Sequence, residues 1–352
     1  MQATPWNRKA LLSSFEKSSS QLLRPAAVFI LDVTLFVAST ALVLLPDSLL
    51  LKLFGMLCVT TAIVRLFLVG HDACHDSFFG SSRLNAICGR IAFLPSMTAF
   101  SLWEVGHNTA HHGFNNLKGR DQVWAPYSKA EFDRLPGYRQ SLERLYRCGI
   151  GWGAYYLVEM WWKKLYFASR KEIGSSRRRY KLDSLLVTAG AALWIAIVVV
   201  AARLTGQSAG LLVGLAIVGP FLMWNTVIGF VVFLHHTNPR IAWFKNRQEW
   251  QRHRAYLTST ARVRFPFGLD RMMHSIMEHN AHHMNPRISM FTLRAAQQVL
   301  REKFPDLCDF HLNPRSYMDI VRRCKLYDFT NHAWQDFAGQ VTAPVRFAAA
   351  AD

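Results

Sequence analysis

The stretch Gly70-His71-Asp72-Ala73-Cys74-His75-Asp76-Ser77 lies where a long apolar run of the sequence ends. Two further histidine clusters follow, His107-Asn108-Thr109-Ala110-His111-His112 and His279-Asn280-Ala281-His282-His283. Because helix positions three and four apart share one face, each cluster can direct its imidazoles to a common point. Three such clusters beside apolar segments favour a metal centre over ordinary surface or core histidines.

Four apolar segments predict membrane-spanning helices. They cover residues 26–45, 49–69, 182–202 and 210–234, and each is close to the length that crosses about 30 Å of hydrocarbon. Short turns join them in pairs. We therefore predict an all-α membrane protein with four transmembrane helices in two hairpins, interfacial helices and a cytosolic histidine-rich cap.

Two less apolar segments are predicted to be interfacial. Residues 87–103 are interrupted by Arg90, Pro95 and Ser96. Residues 150–167 are rich in aromatic side chains and include a pair of lysines, a composition typical of helices at the membrane surface. The sequence then divides into a cytosolic N-terminal segment (1–25), a membrane domain with the first two clusters (26–234) and a cytosolic C-terminal part with the third cluster (235–352).

The strongly basic composition, with a formal net charge of +18, indicates a cytosolic location for the basic loops. Lys and Arg accumulate in the cytoplasmic loops of membrane proteins. The basic stretch at 170–181 therefore places both termini and all three clusters on the cytosolic side, in the cell inner membrane if the chain is bacterial. Membrane lipids, and no nucleic acid, are the partner that we expect for this charge.

The clustered histidines are too numerous for one tetrahedral zinc site. His235-His236, at the end of the fourth apolar segment, supplies a further candidate. Eight or nine imidazoles suit two six-coordinate ions with open positions for dioxygen, and iron is the redox metal that fits an all-nitrogen set. Acidic residues beside the clusters are expected to accept hydrogen bonds from the outer ring nitrogens; these are Asp72, Asp76, Glu104 and Glu278.

The three clusters resemble the histidine boxes of the integral-membrane fatty acid desaturases, a diiron family with H-x3-H, H-x2-3-HH and H-x2-HH boxes. The resemblance covers about residues 50–300. It includes runs similar to those of the acyl-lipid (ω-3/Δ12-like) branch of the family: Asp121-Gln122-Val123-Trp124-Ala125-Pro126, Leu234-His235-His236-Thr237 and His283-Met284-Asn285-Pro286-Arg287-Ile288.

Carried over to this chain, the resemblance implies nine metal ligands. These are His71, His75, His107, His111, His112, His236, His279, His282 and His283. His235 would support these ligands without binding the metal itself. The acyl-CoA branch of the family has an asparagine at the position of Val232, so a contact of that kind is not expected here.

The resemblance further implies a non-haem diiron oxidase that uses O2 as co-substrate and inserts a C=C bond into a fatty acyl chain. The acyl group would be carried by a lipid, a thioester or a free acid. The sequence has no His-Pro-Gly-Gly haem signature, which predicts a separate electron donor such as a ferredoxin. The basic stretch at 170–181 and the arginines between 240 and 264 are candidate docking surfaces for it, although lipid headgroups would account for the same charges.

Other functions remain open at this level. The same diiron centre would serve to hydroxylate an acyl chain, to form an acetylene, or to decarboxylate a fatty acid oxidatively to a terminal alkene. A non-catalytic metal-binding membrane protein is an alternative of a different class. A transporter would place its ionisable ligands midway across the bilayer, whereas these clusters lie at one face.

Overall fold

The computed structural model describes residues 12–15, 22–121, 123–169, 177–345 and 347. Most of the N-terminal segment, Gln122, the first part of the basic stretch (170–176) and the C-terminal end therefore lie outside the described residues. The chain divides into two compact units. The membrane unit comprises residues 17–106 and 153–229, and the histidine unit comprises residues 1–16, 107–152 and 230–352.

Helices make up most of the described chain. In chain order the α-helices are α1 Leu23–Leu44, α2 Leu49–Cys74, α3 Ser82–Phe93, α4 Phe100–Glu104, α5 His112–Phe114, α6 Lys129–Asp133, α7 Gly137–Tyr146, α8 Trp152–Tyr155, α9 Arg177–Thr205, α10 Ala209–Val213, α11 Gly219–His236, α12 Arg247–Arg252, α13 Ala255–Thr258, α14 His279–Met284, α15 Leu293–Lys303 and α16 Pro314–Arg323. Wider π-helical turns cover Val105–His111, Tyr156–Tyr166 and Gly214–Val218, and short 3-10 helices cover Ser13–Phe15 and Pro266–Met273.

Four of the helices have the length and apolar composition needed to cross a membrane. They are Leu23–Leu44, Leu49–Cys74, Arg178–Thr205 and Ala209–His236. The last of these combines α10, the π-helical turn and α11 in one continuous helix. The predicted fold class is thus confirmed, and α3, with 12 residues, is too short to cross, as expected for residues 87–103.

Polar contacts join the helices of the membrane unit at defined points. Arg65 on α2 donates to the carboxylate of Asp32 on α1 at 2.7 Å, and Asp32 is fully buried. Arg90 on α3 pairs with Asp183 on α9 at 2.6 Å. At the other end of the unit, the side chain of Gln207 donates to the carbonyl of Leu44 at 3.0 Å, so the two turns that close the predicted hairpins lie at the same end.

An aromatic cluster fills the membrane unit just before the first histidine cluster. The ring of Phe67 lies 5.0–5.1 Å from the rings of Phe93, Trp103 and Trp224. Gly70 allows this packing because a Cβ at that position would lie only 2.4 Å from the Phe93 ring. The last turn of α2 is therefore fixed closely against α3, which positions His71 and His75.

Two small sheets belong to the histidine unit. β1 (Ala261–Arg264) pairs in parallel with β2 (Cys308–His311). β3 (Leu326–Asp328), β4 (Ala333–Gln335) and β5 (Val341–Pro344) form an antiparallel sheet in that order. The indole of Trp334 on β4 donates to the carbonyl of Ile241 at 3.1 Å, which fastens the sheet to the segment that follows α11.

The Asp32–Arg65 pair leads to a prediction about stability. Asp32→Ala leaves the Arg65 guanidinium without its carboxylate, and loss of one partner of a buried ion pair costs about 3–5 kcal/mol. We expect a lower thermal unfolding midpoint in detergent, with part of the loss recovered in Asp32→Ala/Arg65→Leu. As a control, Asp133→Ala breaks an exposed pair with Lys129 and should have little effect. If the stability losses of Asp32→Ala and Arg65→Leu simply added in the double variant, the ion pair would not contribute to stability.

Candidate metal centre

The first histidine cluster lies in the membrane unit. Helix α2 continues past the apolar run to Cys74, so His71 and His75 follow each other by one turn, and both are buried. Their ring centroids are 4.8 Å apart. Nδ1 of His71 lies 3.3 Å from Oδ1 of Asp72.

The second cluster is carried by a π-helix instead of an α-helix. In the π-helical turn Val105–His111, which is wider than an α-helical turn, residues five apart approach each other. Accordingly, Nε2 of His107 and Nε2 of His112 lie 3.1 Å apart, whereas the His111 ring turns toward His236 at 4.6 Å. The prediction that all three histidines of this cluster point to one position is therefore wrong.

The third cluster forms helix α14, where His279 and His283 are four residues apart and share one face. Their ring centroids are 4.5 Å apart, and that of His236 lies 5.1 Å from both. Nε2 of His236 and Nε2 of His279 approach to 3.1 Å. The remaining histidine, His282, packs instead against His112 at 4.6 Å.

The seven histidines of this unit thus form two groups. The first contains His107, His112 and His282; the second contains His111, His236, His279 and His283. Within each group the possible ligand nitrogens lie within 4.8 Å of one another. Each adjacent pair of histidines, 111–112 and 282–283, is divided between the two groups.

Asp121 and Asn116 fix two imidazoles of the second group. Nδ1 of His111 donates to both carboxylate oxygens of Asp121 at 3.2 Å. Nδ1 of His236 donates to the side-chain carbonyl of Asn116 at 3.1 Å, and the Asn116 amide nitrogen donates in turn to the carbonyl of Ala242. These bonds set the tautomer of both rings, so that each Nε2 presents a lone pair to the group.

Asp121 and Asn116 are themselves joined. The backbone N–H of Asn116 donates to Asp121 at 3.0 Å, and Asn116 adopts the left-handed conformation with φ of 58°. The sequence contains Asp121 in a recognised run, but the contact between Asn116 and His236 bridges 120 positions. The only available signal was the pair Asn115-Asn116 directly after the second cluster.

Burial keeps His279 and His283 of the third cluster uncharged. Desolvation, followed by the proximity of the other histidines, lowers the pKa of His279 and of His283 well below the ordinary value. Neutral imidazole is the form that binds metal ions.

The described histidines fit metal ions closely. Two nitrogens about 2.1 Å from one ion and at a right angle are about 3 Å apart, which matches the 3.1 Å separations of 107–112 and 236–279. Imidazole nitrogen suits zinc, copper, iron and nickel. Both groups can therefore act as metal sites of the imidazole type.

The structure also shows the contacts of His235 and of the four acidic residues that the sequence suggested as partners of the histidines. The ring of His235 stacks on that of His279 with centroids 3.7 Å apart. Of the four acidic residues expected to bind outer ring nitrogens, Asp72 contacts His71. Asp76 accepts from Asn85, Glu104 pairs with Arg179 and Glu278 pairs with Arg262.

Comparison with known proteins identifies the family. The model of the family described as fatty acid desaturase matches residues 47–312, and the chain belongs to this family. It is 29% identical over 269 residues to the "Omega-6 fatty acid desaturase, chloroplastic" of Glycine max, and 29% identical over 276 residues to that of Brassica napus. These alignments cover 76% of this chain but only 61% and 58% of the plant proteins, so the chain spans about three fifths of their length.

A bacterial relative is covered more completely. The "sn-1 oleoyl-lipid 12-desaturase" of a Picosynechococcus strain is 26% identical over 279 residues, which are 79% of this chain and 77% of the relative. Together with the four apolar helices, membership of the family indicates a membrane protein whose histidine clusters are compatible with a metal site.

The role of Asn116 generates the second prediction. Asn116→Leu has a similar volume but removes the acceptor for Nδ1 of His236, and loss of such supporting contacts typically lowers metal affinity about 10–100-fold. We expect faster loss of metal from purified protein during dialysis against a chelator. Asn115→Leu is the matched control, because Asn115 is equally buried but binds the carbonyl of Ala255. Equal metal retention in both variants would refute a specific role for Asn116.

Proposed function

We propose that this protein is an O2-dependent desaturase that inserts a C=C bond into a lipid-linked fatty acyl chain. The observation that carries the proposal is the pair of buried histidine groups in a chain of the fatty acid desaturase family. The names of the relatives support an acyl chain on a lipid as substrate and the Δ12/ω-6 position as the site of attack.

We propose two iron ions as the cofactor. One would be held by the group of His107, His112 and His282, and the other by the group of His111, His236, His279 and His283. We propose His71 and His75 as further ligands because they form the first histidine cluster of the sequence. When bound, the irons supply the redox chemistry that activates O2 for removal of hydrogen from an unactivated carbon.

The residues of the chain prepare the centre for this chemistry. Asp121 and Asn116 hold His111 and His236 in the tautomer that points Nε2 at the ion. Burial excludes water from the histidines of the second group, and it keeps His279 and His283 neutral. An all-imidazole set contributes no negative charge, so the carboxylate of Asp121 also compensates part of the charge of the ions.

The overall reaction requires a supply of electrons. Two hydrogens leave the acyl chain, O2 takes them up with two electrons and two protons from outside, and two water molecules are released. We propose a separate acidic donor, such as a ferredoxin, that docks on the exposed basic residues between 240 and 264, which include Lys245, Arg247 and Arg252.

An experiment on purified protein tests the function. Iron-loaded enzyme in lipid bilayers receives O2, reduced ferredoxin and a panel of phospholipids, free fatty acids and acyl thioesters, and the acyl products are analysed by mass spectrometry. We expect loss of two hydrogens from the lipid-linked chain and about two irons per protein. Gain of oxygen would indicate hydroxylation, loss of four hydrogens an acetylene, and loss of one carbon an alkene. Stoichiometric zinc without restoration of activity by iron would refute the proposed cofactor.

His236, which lies outside the three clusters, provides the sharpest variant for this experiment. His236→Gln keeps a hydrogen-bonding side chain but removes the imidazole. We expect it to abolish turnover and to lower the iron content as much as His282→Gln does. His253→Gln is the control, because His253 lies outside both groups and stacks on Phe347. Normal turnover and full iron in His236→Gln would leave an eight-histidine centre.

We also propose that both termini and the metal centre face the cytosol, in the inner membrane if the chain is bacterial. The basic loops support this orientation, and the contact between Gln207 and Leu44 supports an opposite location for the two closing turns.

Cysteine labelling of intact cells tests the orientation. In a background with Cys148→Ser, a membrane-impermeant maleimide should label Asp47→Cys, and it should label Ala338→Cys only after the cells are opened. Both positions are exposed, so access to the thiol is determined by the membrane. Labelling of position 338 in intact cells would reverse the proposed topology.

A further inference from the structure

The segment Pro266–Met273, between β1 and the third cluster, exposes an unusual set of apolar side chains. Phe267 is 99% exposed, Leu269 48% and Met272 51%. The backbone turns through two consecutive left-handed residues, Phe267 with φ of 57° and Gly268 with φ of 69°. A phenylalanine in this conformation is uncommon, and here it directs the largest apolar side chain of the segment away from the protein.

We propose that this segment is a membrane anchor, in which Phe267, Leu269 and Met272 enter the lipid layer beside helix α11. The occupant of this surface is thus a lipid bilayer and not a second protein. The inference concerns how the histidine unit contacts the membrane, and it does not depend on the reaction that the metal centre performs.

The position of the segment along helix α11 follows from the contact made by the residue immediately before it. The ring of Phe265, immediately before the segment, lies 6.3 Å from the ring of Phe230 on α11. Phe230 precedes His236, the end of the candidate membrane span, by six residues, which correspond to about 9 Å of helix at 1.5 Å per residue. The segment therefore begins beside the wall of the spanning helix and not beyond its end.

The surroundings of Phe230 have the composition of a membrane interface. Its ring centroid lies 4.9 Å from that of Trp152 and 5.7 Å from that of Tyr317. The indole of Trp152 donates to the hydroxyl of Tyr317 at 2.8 Å. Trp and Tyr concentrate at the level of the lipid headgroups, where an apolar ring can carry a polar group, so this aromatic cluster marks the headgroup level.

The charged residues of the segment agree with this orientation. Arg271 is exposed and can bind lipid phosphate, as basic residues beside apolar anchors do. Asp270 faces the protein, where it pairs with Arg294 on α15 at 3.8 Å, and Arg294 also pairs at 3.4 Å with Glu278, directly before His279. The anchor is thereby connected to the first histidine of the third cluster.

Fluorescence quenching by lipid tests the anchor. In a background with Cys58→Ser, Cys88→Ser and Cys148→Ser, Phe267→Cys carries an environment-sensitive nitrobenzoxadiazole label on the full chain in phosphatidylcholine nanodiscs. Since interfacial segments bury their apolar face about 5–10 Å into the bilayer, brominated acyl chains should remove about half of the emission or more. Leu269→Cys should behave in the same way, which guards against a local disturbance at position 267.

Val341→Cys is the matched control. Val341 is 59% exposed and apolar, but it lies on β5, and its label should remain unquenched. Equal metal content in the labelled variants establishes that they are folded. Emission at 267 and 269 as insensitive to brominated lipid as that at 341 would overturn the proposal. So would emission that changes only when a soluble ferredoxin is added, because the surface would then be a protein docking site.

Discussion

The hydrogen bonds that Asp121 and Asn116 make to His111 and His236 are the constraint on which the candidate metal centre depends. An imidazole can present either nitrogen to an ion, and the partner of the other nitrogen decides which one. Here the partners are the Asp121 carboxylate and the Asn116 side-chain carbonyl. The backbone N–H of Asn116 donates to Asp121, and the Asn116 amide nitrogen donates to the carbonyl of Ala242. Two histidines from distant parts of the sequence are thereby oriented by one short loop after the second cluster.

Hydropathy was sufficient to predict the class of fold, and histidine spacing was sufficient to single out histidines that the structure brings together, because both signals are local. The four apolar runs exceed the length of ordinary soluble helices, and the structure contains all four helices within a few residues of the predicted limits. The division of the second cluster was not predictable from an α-helical period, since it depends on the π-helix at Val105–His111. Asn116 was missed because its partner lies 120 positions away.

The partners of charged residues also could not be predicted from the sequence. Position alone suggested Glu104 and Glu278 as partners of histidine, but arginines that are distant in sequence occupy both carboxylates. Within the membrane unit, Asp32 occurs in an otherwise apolar run, and the structure pairs it with Arg65 on the next helix. The type of a side chain indicates that it needs a partner, whereas tertiary packing decides which partner it obtains.

The π-helix gives the second and third clusters equivalent geometry despite their different spacing. One additional residue separates the outer histidines of the second cluster, and the wider turn absorbs it. Each cluster then contributes its outer pair to one group and its middle histidine to the other: 107 and 112 with 282, and 279 and 283 with 111. Because the histidines are exchanged in this way, neither group can move without displacing a helix that contributes to both, so the two histidine groups form a single mechanical unit.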